Sequence, residues 1–236
     1  MNQERVAING VMVYPFKSED ELLGYVNDKK GILVAINSGK IHKATDETRQ
    51  IINNGIGYVD GVGALYALKK KGYPDVVKNA GCELWLDIIE RTYREGKSYY
   101  FIGGKQTVID TTINKLQKDF PGIRIAGYRD GYLKEGDKEN LILDIVEKKP
   151  DYVFVAMGSP KQELLMGEIF EKHKAVYQGL GGSFDLYIGN TKRAPQWMID
   201  HGIEGVYRVM TDFNKARVIR FKDDLLFLIK VFMGRY

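Results

Sequence analysis

Gly31-Ile32-Leu33-Val34-Ala35-Ile36 runs straight into Asn37-Ser38-Gly39. An apolar run this short, rich in branched side chains and stopped by a polar loop, reads as a strand buried on both faces. The same grammar returns downstream. Tyr58-Val59 leads into Asp60-Gly61-Val62-Gly63, Ser98 to Ile102 into Gly103-Gly104, and Ile123 to Ala126 into Gly127. Asp151 to Met157 leads into Gly158-Ser159-Pro160, and Ala175 to Gln178 into Gly179-Leu180-Gly181-Gly182. Between these strands the pattern predicts helices over Lys43–Asn54 and Ala64–Lys71, one of roughly fifteen residues ending before Pro121-Gly122, and one from Lys161. Strands alternating with helices imply an α/β fold, a Rossmann-like, mostly parallel sheet flanked by helices. In such sheets ligands sit at the carboxyl ends of the strands, where these glycines and acids fall.

Composition narrows the class. With 236 residues, 44% of them hydrophobic and 28% charged, the chain can bury a sizeable core and is not a disordered segment. Cys82 is the single cysteine, so neither an internal disulfide nor a cysteine-based metal site is expected. The first residues lack the layout of a signal peptide, and no apolar run reaches the roughly 18–20 residues of a membrane span. A cytoplasmic protein is expected.

The net charge of +4 has an address. Residues 208–236 hold seven of the 35 basic residues and three of the 31 acidic ones, which leaves 28 of each sign elsewhere. The same tail carries Leu225-Leu226-Phe227-Leu228-Ile229, and Phe221, Leu225, Leu228 and Phe232 recur at near-helical spacing. Basic plus apolar side chains suit an anionic membrane surface better than nucleic acid. A helix that packs its apolar side on the domain and solvates its lysines is the other reading. The boundary is drawn at a core of residues 1–205 and an appendage of 206–236.

Several constellations could carry chemistry. Gly103-Gly104 and Gly181-Gly182 follow strands and precede helices, where backbone N–H groups can meet a diphosphate, although a glycine pair taken singly reads first as a plain tight turn. Neither continues into a Walker loop or a GxGxxG fingerprint. Asp60 ends a strand beside Gly61, which suits a general base, or alternatively a cap for the next helix. No Asp-x-Asp is present to anchor a metal diphosphate, and no cofactor is implied. In Gly158-Ser159-Pro160-Lys161-Gln162-Glu163, Pro160 suits a first helical turn and Ser159 a cap. Lys161 and Gln162 there could face a nucleotide or only solvent.

Taken with Gly179-Leu180-Gly181-Gly182-Ser183-Phe184-Asp185, Gly189 and Arg193-Ala194-Pro195-Gln196-Trp197, that block resembles the linked motifs of the WecG/TagA/CpsF glycosyltransferases, glycosyltransferase family 26. Phe101-Ile102-Gly103-Gly104, Phe120-Pro121-Gly122, Gly127 and Asp130-Gly131-Tyr132 match in order, and the similarity covers roughly residues 30–210. The resemblance implies an inverting, metal-independent transfer of a sugar from a UDP-sugar donor to a polyprenyl-diphosphate-linked acceptor at the inner face of the plasma membrane. It puts Asp60 at the general base and Asn37 in the donor pocket; Gly61, read from its place beside Asp60, would let substrate approach. Tyr132 and Gln162 fall on the uridine side, and Asp185 and Arg193 in the nucleotide-facing loops. It also implies that the appendage closes over the site, with Arg208, Arg217 and Arg220 reaching the diphosphate.

Departures from the family pattern gather around the donor sugar and the tail. Ala35 stands where a threonine is common, and Lys78 and Glu83 stand where the family has Arg and Asp. The donor sugar is therefore left open among N-acetylmannosamine-type, glucose-type and uronic acid. Two rivals come from other classes: a non-catalytic nucleotide-binding subunit of an envelope-polymer assembly, and a Rossmann oxidoreductase. Asp60 speaks against the first, and the missing GxGxxG against the second. A homo-oligomer stays open.

Overall fold

A computed structural model describes residues 4–201, 203–211 and 215–235. A hairpin of β1 (Val6–Ile8) and β2 (Val11–Val13) comes first, then α1 (Glu19–Asp28), β3 (Gly31–Ile36), α2 (Ser38–Lys43), α3 (Asp46–Asn54), β4 (Ile56–Val59), α4 (Val62–Lys70) and α5 (Gly81–Thr92). Next are β5 (Ser98–Gly103), α6 (Gln106–Asp119), β6 (Arg124–Arg129), α7 (Asp137–Lys148), β7 (Tyr152–Ala156), α8 (Lys161–Lys172) and β8 (Val176–Gly179). The short α9 (Ser183–Tyr187) and α10 (Gln196–Asp200) lead to α11 (Glu204–Thr211) and α12 (Lys215–Phe232). Among the described residues β3 to β8 form one parallel sheet in the order β4-β3-β8-β7-β5-β6.

The apolar runs are continuous because alternate residues enter two different cores. Leu33, Tyr58, Phe101 and Phe154 face a layer made by α1, α5, α6 and α9. Val34, Ile36, Ile102 and Val155 face a layer made by α3, α4, α7 and α8. Trp85 of α5 fills the centre of the first layer, edge-on to Phe154 at 5.8 Å and Phe184 at 5.7 Å.

The expected helix over Lys43–Asn54 is α3, which starts three residues later, and the separate α2 precedes it. Asn37 starts α2 early, its Oδ1 accepting from the Lys40 N–H at 3.1 Å. Thr45 then opens α3 through a capping box in which the Thr45 N–H donates to Thr48 Oγ1 at 2.9 Å. Pro160, not Ser159, stands at the cap of α8, and no side chain caps that helix.

The appendage docks on the core by residues outside the stripe Phe221, Leu225, Leu228 and Phe232. Phe227 and Val231 of α12, one turn apart, are 3% and 1% exposed in the core shared with α4. The Lys70 ammonium donates to the Val231 and Phe232 carbonyls at 3.0 and 2.6 Å and so closes the end of the helix. Leu225, Leu226, Ile229, Phe232 and Met233 are left exposed.

Candidate active site

All six strands point the same way, so their carboxyl ends share one rim. β5 and β7 are neighbours, yet α6 after β5 packs into one core and α8 after β7 into the other. The chain thus parts in opposite directions at adjacent strand ends, which opens the crevice where sheets of this kind take ligands. Gly103-Gly104 and Gly158 line this parting. Gly103 has φ +133°, and a Cβ on it would stand 2.2 Å from the Ala156 carbonyl oxygen, so only glycine fits. The Gly104 N–H donates to that same oxygen at 3.2 Å and the Gly131 N–H to the Gly104 carbonyl at 2.9 Å, which stacks three loops.

Gln162 is 2% exposed and works beneath the rim, not on it. Its Oε1 accepts from the Gly158 N–H at 3.1 Å and the Gly181 N–H at 2.9 Å, clamping two glycine turns together. Its Nε2 donates to Glu163 at 3.0 Å. Glu163 also pairs with Lys40 at 3.0 Å, and Lys40 donates to the Ala35 carbonyl at 2.9 Å. Burial pushes the Glu163 carboxyl up, but the Lys40 charge and hydrogen bonds from Lys40, Gln162 and Ser159 outweigh it and hold the group below its ordinary value.

Asp60 lies at the β4 end of the rim. Its carboxylate does not cap α4, whose cap is Gly61 with no side-chain bond. Asp60 Oδ1 instead accepts from the N–H of Gly81 at 2.9 Å, at the first residue of α5. The carboxylate therefore sits at the positive end of α5. Gly61 packs against Asn37, where a Cβ would meet the Asn37 Cβ at 2.8 Å, so the loops after β3 and β4 are in contact.

The remaining sequence-predicted residues divide. Tyr132 and Lys161 line a cavity of about 520 Å³ with Gly131, Lys134, Met157 and Leu165, on the α8 side of the crevice. Its lining mixes Lys134, Lys138 and Lys161 with apolar side chains. A larger cleft of about 580 Å³ includes Tyr25, Gly31 and Gly55, and so lies at the amino ends of β3 and β4, away from this chemistry. Asp185 accepts from Asn190 Nδ2 at 3.1 Å and so shapes its own loop. Arg193 pairs with Glu83 in the first turn of α5, which ties its loop to the helix that holds Asp60. Arg208 belongs to α11, and Arg217 and Arg220 to α12, but their side chains lie outside the described residues.

Lys40, Tyr58 and Gln178 also lie at or beneath this rim, and the sequence patterns did not single them out. Each looks ordinary in its own segment and gains meaning only from what it meets across the sheet. Among the described residues no three His, Cys, Asp or Glu side chains converge as a metal site would need, and no helix is long and apolar enough to cross a membrane.

Comparison with known proteins finds both a family and named relatives. The model of the glycosyl transferase WecG/TagA/CpsF family covers residues 7–236. A Bacillus spizizenii protein named N-acetylglucosaminyldiphosphoundecaprenol N-acetyl-beta-D-mannosaminyltransferase is 40% identical over 161 residues. That alignment spans 67% of this chain and 60% of the relative's length.

Proposed function

The chain belongs to the WecG/TagA/CpsF glycosyltransferase family, and on that premise we propose that it moves a hexosyl group from a UDP-sugar to a sugar carried on a polyprenyl diphosphate. The observation that carries this reading is the placement of Asp60, half-buried at the carboxyl end of β4 with one oxygen bonded to the Gly81 N–H. That contact orients the carboxylate and leaves the group able to receive a proton.

In the proposed reaction Asp60 takes the proton of an acceptor hydroxyl as that oxygen bonds to the anomeric carbon. The bond from the anomeric carbon to the diphosphate oxygen breaks, and UDP leaves from the opposite face with inversion. A general base contributes roughly 10²–10⁴-fold, so positioning and stabilisation of the leaving charge supply much of the remainder. The glycine turns at the β5–β7 parting and the lysines around Tyr132 and Lys161 are placed to meet the nucleotide side. Arg193 is assigned to the same nucleotide side.

The relative's name specifies an N-acetylmannosaminyl group and an N-acetylglucosaminyl-diphosphoundecaprenol acceptor. Acceptor chemistry of that class supports a reaction at a membrane surface in envelope-polymer synthesis. The exposed apolar side chains of α12, with the basic residues around them, support peripheral attachment to an anionic cytoplasmic leaflet. The appendage from residue 206 is assigned to that role.

The test is transfer from a UDP-sugar panel to a synthetic lipid-diphosphate acceptor by wild type and Asp60→Asn. Wild type should form product, whereas Asp60→Asn should keep UDP binding and lose at least about 100-fold in turnover. An Asp60→Asn protein with more than about a tenth of wild-type turnover would show that Asp60 is only structural.

A further inference from the structure

A buried polar cluster under Asp60 has no part in the chemistry above. Gln178 of β8 and Tyr58 of β4 are both 0% exposed. In the sheet register Gln178 stands between Leu33 and Phe154, positions where an apolar side chain would be the ordinary choice. Its Nε2 donates to the Tyr58 hydroxyl and to the Gly81 carbonyl, each at 3.2 Å. Because a carbonyl can only accept, the Gly81 oxygen fixes which end of the amide faces it. The N–H of the same glycine donates to Asp60 Oδ1 at 2.9 Å. A Cβ on Gly81 would stand 2.7 Å from the Tyr58 hydroxyl and 3.6 Å from Asp60 Oδ1, so this residue is wedged between them.

Burying an amide and a phenol in an apolar layer costs free energy unless both are bonded. Here the Gln178 Oε1 has no partner among the described residues, so the amide is kept despite an unmade bond. Its two made bonds bear on Gly81 and on the strand two residues before Asp60. We propose that Gln178 is a positioning residue: by holding the Gly81 carbonyl it sets the Gly81 N–H, and through it the Asp60 carboxylate, for proton removal from the acceptor. Tyr58 is the second anchor of the amide. Burial, and then the Asp60 charge, push the Tyr58 hydroxyl well above its ordinary value, so it stays neutral and can accept from Gln178. This inference rests on the assignment of Asp60 as base.

Gln178→Met keeps the length of the side chain and removes the amide, and Tyr58→Phe keeps the ring and removes only the hydroxyl. With full-length protein, UDP-sugar and lipid-diphosphate acceptor, Gln178→Met should lower kcat by about tenfold or more while the donor KM stays within about twofold. Tyr58→Phe should lower kcat by about threefold or more with the same unchanged KM, and it stands as the test should Gln178→Met fail to fold. On the Asp60→Asn background, Gln178→Met should subtract nothing further from the residual rate, because both changes remove the same function.

Folded variants with wild-type kcat would overturn the proposal, as would a Gln178→Met loss that is as large without the Asp60 carboxylate as with it. If Asp60→Asn itself keeps full turnover, the base assignment fails. If Asp60→Asn is inactive while Gln178→Met and Tyr58→Phe are unimpaired, only the positioning role fails.

Discussion

Lys40 and Glu163 meet at 3.0 Å with side chains 10% and 1% exposed, and their contact joins the helix after β3 to the helix after β7. Those two helices flank β8, so the pair bridges the rim across the strand that leads into Gly181-Gly182. A buried pair of this kind is weak evidence for net stability, but breaking it from one side is costly because the other charge is stranded.

Glu163→Gln should therefore destabilise the protein by about 3–5 kcal/mol, read by denaturant unfolding at neutral pH. The double variant Lys40→Met/Glu163→Leu should be much closer to wild type. The pH dependence follows from the depressed Glu163 value. The pairing acts at full strength above the ordinary value of 4.5 and is lost as pH falls from there toward the lower folded value. Wild type should lose stability on acidification below about pH 4.5 more steeply than the double variant. Equal slopes would mean that Glu163 does not titrate in that window.

The two faces of α12 should separate by mutation. Phe227→Ala removes a side chain that is 3% exposed and should cost about 3–5 kcal/mol of stability. Leu226→Asp with Phe232→Asp changes side chains that are 57% and 69% exposed and should leave the unfolding midpoint within a few degrees of wild type. That double variant should sediment poorly with anionic liposomes and transfer sugar poorly to acceptor in vesicles. Undiminished sedimentation would remove α12 from the membrane contact.

Gly103→Ala should be among the most damaging single changes at the rim. The residue holds φ +133°, and the added carbon would sit 2.2 Å from a backbone oxygen that cannot swing away. The backbone conformation alone is worth about 1–3 kcal/mol of strain in a residue with a side chain. A thermal melt indistinguishable from wild type would show that the β5 turn rearranges at little cost.

Transfer should persist in excess chelator. The chain has no Asp-x-Asp sequence to hold a metal diphosphate, so amides and basic side chains are left to meet the leaving charge. Loss of activity on chelation, restored by magnesium or manganese, would redirect the search to acidic side chains around the crevice.

Much of this protein could be read one segment at a time. The run Gly31–Ile36, the turns Gly103-Gly104 and Gly158-Ser159-Pro160, and the strand end at Asp60 are local patterns, and each stands where its pattern implied. The capping box that opens α3 was also local, in Thr45 and Thr48, but the helix drawn over Lys43–Asn54 began two residues before it. Asn37 and Gln162 drew notice as ligand contacts. The structure shows the first starting a helix and the second holding two turns, because what an amide does depends on which N–H groups surround it.

The pairs that build the site had no signal along the chain. Gln178 and Tyr58 are 120 residues apart, and Asp60 and Gly81 are 21 apart. Lys40 fell outside every helix read from the sequence, and Glu163 drew notice only as the last residue of a motif. Helix and strand periodicity reaches only over a few residues, whereas these contacts follow from β8 entering the sheet between β3 and β7. Sequence by itself determined the α/β class, the family and the strand-end position of Asp60, since each lies in short-range pattern and motif. Only the tertiary structure decided what holds the Asp60 carboxylate, where Lys40 finds its partner and which stripe of α12 faces outward, because strand order sets those neighbours.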